Sequence, residues 1–337
     1  MNEKYFLTSM TRISDLDVRP FGVEPVERAR WARGDYVAVE VLSSSSGQRI
    51  ELTSGRHIEV AEGDLAVGAF GRREATQEAT GDWREIGEDG RLSFLTGAGL
   101  LGRCTSRSMV LDPLTEARYV GHVVRDGEKL RMEEYVGPAP RATFDDVPVI
   151  LVIGTSMSAG KTTAARIVIR MLKREDVRVV GSKISGAGRY RDILSMHDAG
   201  ADAVVDFVDV GLPSTVCPEP AYRSALEGLL SRIADEEPDV AVIEVGASPL
   251  EPYNGEAAIE RIRDQVRYTI LCASDPYSVV GVMSAFDARP SLVTGIATNT
   301  RAGIALTEQL SGIPALNIRD KASRPKLREQ LLERLRG

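Results

Sequence analysis

Residues 147–163 read VPVILVIGTSMSAGKTT. An apolar run from Val149 to Ile153 stops at Gly154, the stretch Thr155-Ser156-Met157-Ser158-Ala159-Gly160 follows, and Lys161, Thr162 and Thr163 open a helical pattern. A buried strand, a glycine-bounded turn and a helix start, in that order, gather main-chain N–H groups and the positive end of a helix around one point, where a phosphate group binds. In this reading Gly154 to Thr163 cradle the phosphates of a nucleotide. Lys161 neutralises charge that grows on the terminal phosphate, and the Thr162 hydroxyl holds magnesium. Five residues separate the two glycines where the common motif has four, so a strict pattern misses it. The context decides: an ordinary turn with an exposed lysine leaves Gly-Lys-Thr-Thr behind an apolar strand unexplained.

Working outward, the second half alternates apolar runs with helical stretches. After the helix expected over 161–174 come strands in VRVVGSK, ADAVVDF, PDVAVIEV, YTILCAS, SLVTGIATN and IPALNI, with helices in AYRSALEGLLSRIAD and AGIALTEQLSG. Strands alternating with helices imply a parallel sheet covered on both faces, with ligands beyond the carboxyl ends of its strands. From Tyr36 to Val136 the rhythm differs. Short apolar runs such as YVAVEVLSSSSG and YVGHVVRDG are broken by Gly, Asp and Ser, as in a barrel or sandwich, with Ser43 to Gly47 in a connection. The segment GPAPRATFDDVP, 137–148, holds three prolines and few apolar residues and marks the boundary. The expectation is an α/β chain: a mostly-β domain over 1–140, its role unassigned, then a P-loop NTPase domain over 147–337 with a parallel β-sheet flanked by helices.

Composition narrows the partners. A net charge of -7 argues against a broad nucleic-acid surface, with the basic run Arg319 to Arg336 a local exception. That run reads as the solvated face of a last helix with Leu327, Leu331, Leu332 and Leu335 turned inward. Three widely spaced cysteines, Cys104, Cys217 and Cys272, suit a reducing compartment. No leader pattern and no run of 18 apolar residues is present, so a cytoplasmic protein without a membrane partner is expected. His57, His122 and His197 are isolated and read as structural or exposed. Cys104, in GLLGRCTSRS, has a basic, glycine-rich setting but no histidine nearby to make it a nucleophile.

The long loop GTSMSAGKT resembles that of dethiobiotin synthetase and related amidoligases, and three further segments follow in the family's order. Lys183-Ile-Ser-Gly-Ala-Gly is similar to a Lys-Pro-Val-x-x-Gly element whose lysine faces substrate and phosphates. Glu244-Val-Gly-Ala-Ser resembles a Glu-Gly-Ala-Gly element that supplies a magnesium carboxylate. Gly295-Ile-Ala-Thr-Asn299 resembles the segment whose asparagine reads the base. The resemblance covers 147–318 and departs at Ile184 and Val245. EVGASPLEPYNG also echoes P-loop proteins with an added N-terminal domain.

The resemblance implies an ATP- and magnesium-dependent kinase or ligase. It would phosphorylate a small-molecule carboxylate or carbamate and continue to an amide or ring, as a homodimer. Lys161, Lys183 and Glu244 would be catalytic; Thr162, Glu244 and Asp192 would serve the metal, with Asp198 competing with Asp192; Asn299 would touch the base or cap the helix beginning near Ala302. Arg189 and Arg191 are candidates for gripping a carboxylate, and Tyr253, Asn254 and Gly255 for touching substrate. Two other classes stay open. One is a nucleotide-driven, partner-binding ATPase akin to partition ATPases, although Thr155 to Ala159 lacks their extra lysine. The other is a GTP-dependent metallochaperone, although Thr298-Asn299-Thr300-Arg301 stands in place of Asn-Lys-x-Asp.

Overall fold

The computed structural model describes residues 4–45, 47–246, 248–286 and 289–336. Two compact units emerge. One comprises Met1–Pro138 with the returns Ala187–Arg191 and Phe207–Ala225; the other comprises Ala139–Gly186, Asp192–Asp206 and Leu226–Gly337.

In the first unit, β-branched alternation makes strands. β1 (Tyr36–Ser43), β2 (Leu65–Phe70), β3 (Arg91–Thr96), β4 (Leu100–Arg107) and β5 (Glu116–Arg125) pair in the order β2-β1-β5-β3-β4, and β4 returns to β2, closing a ring. The closing pair is parallel and the others antiparallel. Closure leaves these five strands no open edge. Val37, Val39, Val41, Phe70, Phe94 and Leu101 fill the interior. Gly68 permits a close crossing, because a Cβ there would stand 2.3 Å from the Gly99 carbonyl oxygen. Ser43 ends β1, and of the serines after it Ser46 lies outside the described residues.

Of the three histidines, His122 has a structural setting in this unit. His122 is fully buried, with Nδ1 2.6 Å from the Tyr119 hydroxyl and Nε2 3.1 Å from Asp35 Oδ2. His57 and, in the helix Tyr190–His197, His197 are exposed. Burial pushes the Cys104 thiol up, away from thiolate.

The second unit is built on β6 (Val149–Gly154), β7 (Val179–Ser185), β8 (Ala203–Asp206), β9 (Val240–Val245), β10 (Val266–Ala273) and β11 (Leu292–Gly295). Their order is β8-β7-β9-β6-β10-β11 and every pair is parallel. The central strands β6 and β9 are buried throughout, as a sheet covered on both faces requires. Helices of the chain are α1 (Lys161–Leu172), α2 (Tyr190–His197), α3 (Glu219–Asp235), α4 (Gly255–Ile262), α5 (Pro276–Phe286), α6 (Arg301–Ser311) and α7 (Arg324–Arg336). Ala164, Val168 and Leu172 of α1 join the core under the sheet, as do Leu327 and Leu331 of α7, with Leu332 and Leu335 packed beside them. No helix among the described residues is long and apolar enough to cross a membrane.

Two elements differ from the sequence reading. α1 stops at Leu172, and a 3-10 turn over Lys173–Glu175 leads to Asp176 at φ 55°. IPALNI, expected as a strand, makes one parallel bridge, Val293 with Ala315. Pro314 has no N–H to give to a ladder, so this segment runs beside β11 without joining it.

Candidate functional site

The loop after β6 sits at the middle of the sheet, where β6 has β9 on one side and β10 on the other. Sheet register then sets the neighbours. Val152 lies opposite Glu244, and Glu244 lies opposite Lys183. The three segments that the sequence offered therefore converge beyond the carboxyl ends of adjacent strands, for a reason of topology rather than of local sequence.

Lys161 is 3% exposed and folds back over the start of the loop. Its Nζ donates to the Ser156 carbonyl at 2.7 Å. Gly154 makes room, since a Cβ there would stand 2.9 Å from Cγ and Cδ of Lys161. Gly160, at φ 104°, turns the chain into α1, whose first-turn amides have no acceptor within the helix. β10 steadies the other end: Thr155 N donates to Cys272 O at 3.0 Å, and Ser274 N donates to Thr155 Oγ1 at 3.1 Å. Gly295, at φ 99°, abuts the loop so closely that a Cβ would meet the Ala159 carbonyl at 2.6 Å. Cys272, Ser274 and the packing role of Gly295 escaped the sequence reading; their position at strand carboxyl ends was the available signal.

Glu244 is 2% exposed, and its Oε2 accepts from the Thr162 hydroxyl at 3.0 Å. Burial pushes this carboxyl up, Lys183 pulls it back, and Asp192 adds to the rise. Burial likewise pushes the Lys161 ammonium down, opposed by Glu244. Each group is thus driven toward its neutral form by loss of water. An anion beside Lys161 and a cation beside Glu244 would reverse both tendencies. A hydroxyl and a carboxylate form an oxygen-only donor pair suited to magnesium, so the residues fit the ion.

Lys183 is also buried, and its Nζ donates to Asp192 Oδ2 at 2.6 Å. Two glycines form the channel for its stem: a Cβ on Gly186 would come within 3.0 Å of Lys183 Cε, and one on Gly246 within 2.9 Å. Ala247, within the Glu244-Val-Gly-Ala-Ser segment, lies outside the described residues. Asp198, the competitor of Asp192, is exposed.

Other candidates lie elsewhere. Thr163 is exposed and lines a cavity on the outer face of α1. Asn299 is exposed at the end of the turn Ile296–Thr298, and α6 is capped instead by Thr300, whose Oγ1 accepts from Gly303 N at 3.0 Å. Arg189 reaches Glu78 at 3.3 Å. Tyr253 is fully buried, and Asn254, at φ 58°, turns into α4.

No protein-family model and no curated protein matches the chain. Solved structures do resemble it. HypB from Helicobacter pylori in complex with nickel is 15% identical, over 57% of this chain and 88% of that one, with a TM-score of 0.39. The signal recognition particle receptor FtsY from Elizabethkingia anophelis is 16% identical, over 56% and 68%, with a TM-score of 0.37. The signal recognition particle 54 kDa protein from Aeropyrum pernix in complex with GDP is 20% identical, over 63% and 52%, with a TM-score of 0.33.

The expectation of an ATP-dependent kinase or ligase is withdrawn: none of these three proteins is named as one, and none singles out the dethiobiotin synthetase branch. The segments at Ile184 and Val245 depart from the pattern that suggested that branch, and Lys183 is closed onto Asp192. With six parallel strands, a glycine-bounded loop after a central strand and a buried lysine at the start of α1, the second unit has the P-loop NTPase fold.

Proposed function

We propose that the second unit is a nucleotide-dependent switch. In this reading residues 154–162 would hold the phosphates of a purine nucleoside triphosphate, Lys161 would answer their charge, and Thr162 with Glu244 would hold a magnesium ion, which would supply divalent positive charge there. The observation that carries this reading is the Thr162–Glu244 hydrogen bond beside a buried Lys161, at the end of adjacent parallel strands.

A switch needs an element whose position depends on the terminal phosphate. The Lys183–Asp192 pair supports that part of the reading. Asp192 rides on the first turn of α2, and Lys183 lies opposite Glu244 in the sheet. A phosphate oxygen near Lys183 competes with Asp192 for its ammonium, so the diphosphate and triphosphate states favour different placements of α2.

Thermal shift with ATP, ADP, GTP and GDP, each with magnesium, tests the reading and separates the purines: the resemblance implied ATP, while one similar structure holds GDP. The expected result is stabilisation of about 2.7 kcal/mol at a hundred times Kd. It should be larger for one purine's triphosphate than for its diphosphate, and Asp192→Asn should erase that difference. Equal stabilisation by di- and triphosphate overturns the switch, and no stabilisation by any of the four overturns the site.

A further inference from the structure

A cavity of about 720 Å³ opens on the outer face of α1, lined by twelve residues of which six are arginine and one is lysine. Arg166, Arg170 and Arg174 come from α1 and the turn after it, four residues apart on one face. Arg319, Lys321, Arg324 and Arg328 come from the chain that leads into α7 and from its first turns. Glu175 is the one acid in the lining, and Arg328 takes both its oxygens at 2.6 Å. No other cation of the lining has an ion pair among the described residues. In a chain of net charge -7, this concentration needs an explanation.

The helix itself does not give one. Cations near the carboxyl end of α1 suit its dipole, which accounts for Arg170 and Arg174. Arg166 lies in mid-helix, and like charges four residues apart repel. Arg324 is worse placed still: it begins α7, at the positive end of that helix, where the first turn holds no acid. Two segments about 150 residues apart thus bring like charge together against local preference, around a concavity with room for a small molecule.

We propose that this cavity binds a small, multiply phosphorylated molecule, at a site distinct from the phosphate loop. Guanidinium forks match phosphate oxygens two at a time, which fits the five arginines other than Arg328 against one lysine. Ile167, Met171 and Pro325 give the cavity an apolar wall for the body that carries the phosphates. The concave shape and limited volume suit a compact anion better than a nucleic-acid backbone, which needs an extended basic track.

Calorimetric titration of the full chain with myo-inositol hexakisphosphate, a compact polyphosphate probe, tests this. One-site binding that weakens as salt rises is expected. Arg170→Glu and Arg324→Glu should each lower affinity by about tenfold. Arg118→Glu, an equal change in net charge on β5, should leave it unchanged. Lys161→Ala should also leave it unchanged, so failure here and failure of the phosphate-loop reading are distinguishable. Absence of binding, or binding indifferent to Arg170 and Arg324, overturns the proposal. So does single-stranded RNA or a phosphatidylserine vesicle that binds through those arginines and is not displaced by the probe.

Discussion

Asp35 in the first unit and Glu244 in the second are both buried carboxylates, 0% and 2% exposed, and their surroundings differ. Asp35 Oδ2 accepts from Ala32 N and Lys129 Nζ, each at 2.7 Å, and faces His122 Nε2. Glu51, also in the first unit, accepts from the amides of Tyr190 and Arg191 and the hydroxyl of Ser9. These acids take their donors from their own unit, on Oδ2 in the case of Asp35, and hold loops and helix starts in place. Glu244 has the Thr162 hydroxyl, and burial drives it toward protonation. A buried acid tied to an amide and an ammonium of its own unit is a structural part, whereas one that burial drives toward its neutral form beside a buried lysine is prepared for something that arrives.

Lys161→Ala breaks the comparison hardest. It should weaken magnesium-nucleotide binding at least about a thousandfold, about 4 kcal/mol, in a calorimetric titration, with no loss of Tm. Preserved affinity would make Lys161 a structural lysine like Lys129.

Asp35→Ala should do the reverse. Removing one partner from a buried ionic cluster costs about 3 kcal/mol, which lowers Tm by roughly 6–12 °C, and leaves nucleotide affinity unchanged. A variant as stable as the parent would show that the donors around Asp35 do not need it.

Glu244→Gln sharpens the contrast through pH. Because burial raises the Glu244 carboxyl from its ordinary 4.5, the folded nucleotide-free unit keeps a proton there that the unfolded chain has released. Over that window stability falls as pH rises. The wild-type Tm should therefore drop more steeply than that of Glu244→Gln as pH climbs above about 4.5, and the variant should lose about tenfold in magnesium dependence of nucleotide binding. Parallel pH profiles would place Glu244 with the structural acids.

The loop, the parallel sheet and the mostly-β first region were legible because each depends on local pattern: VILVI before Gly154, the change of rhythm near Pro148, the helix-forming AYRSALEGLLSRIAD. Lys183 was offered through the resemblance and Glu244 also as a carboxylate ending an apolar strand, while their nearness is a product of strand order. The pairing of Lys183 with Asp192 depends on where α2 starts, which no local signal fixes. The basic cavity was hidden because Arg319 to Arg336 read alone as a solvated helix face. Its other wall, the arginines of α1, lies far back in the chain. The strand expected in IPALNI failed where proline intervened.

Hydrogen exchange of backbone amides 155–163, followed with and without magnesium-nucleotide, tests the central claim most directly. Slowing concentrated in these amides, and absent in Lys161→Ala, is the predicted result. Unchanged exchange across the loop, with protection arising elsewhere in the chain, would contradict it.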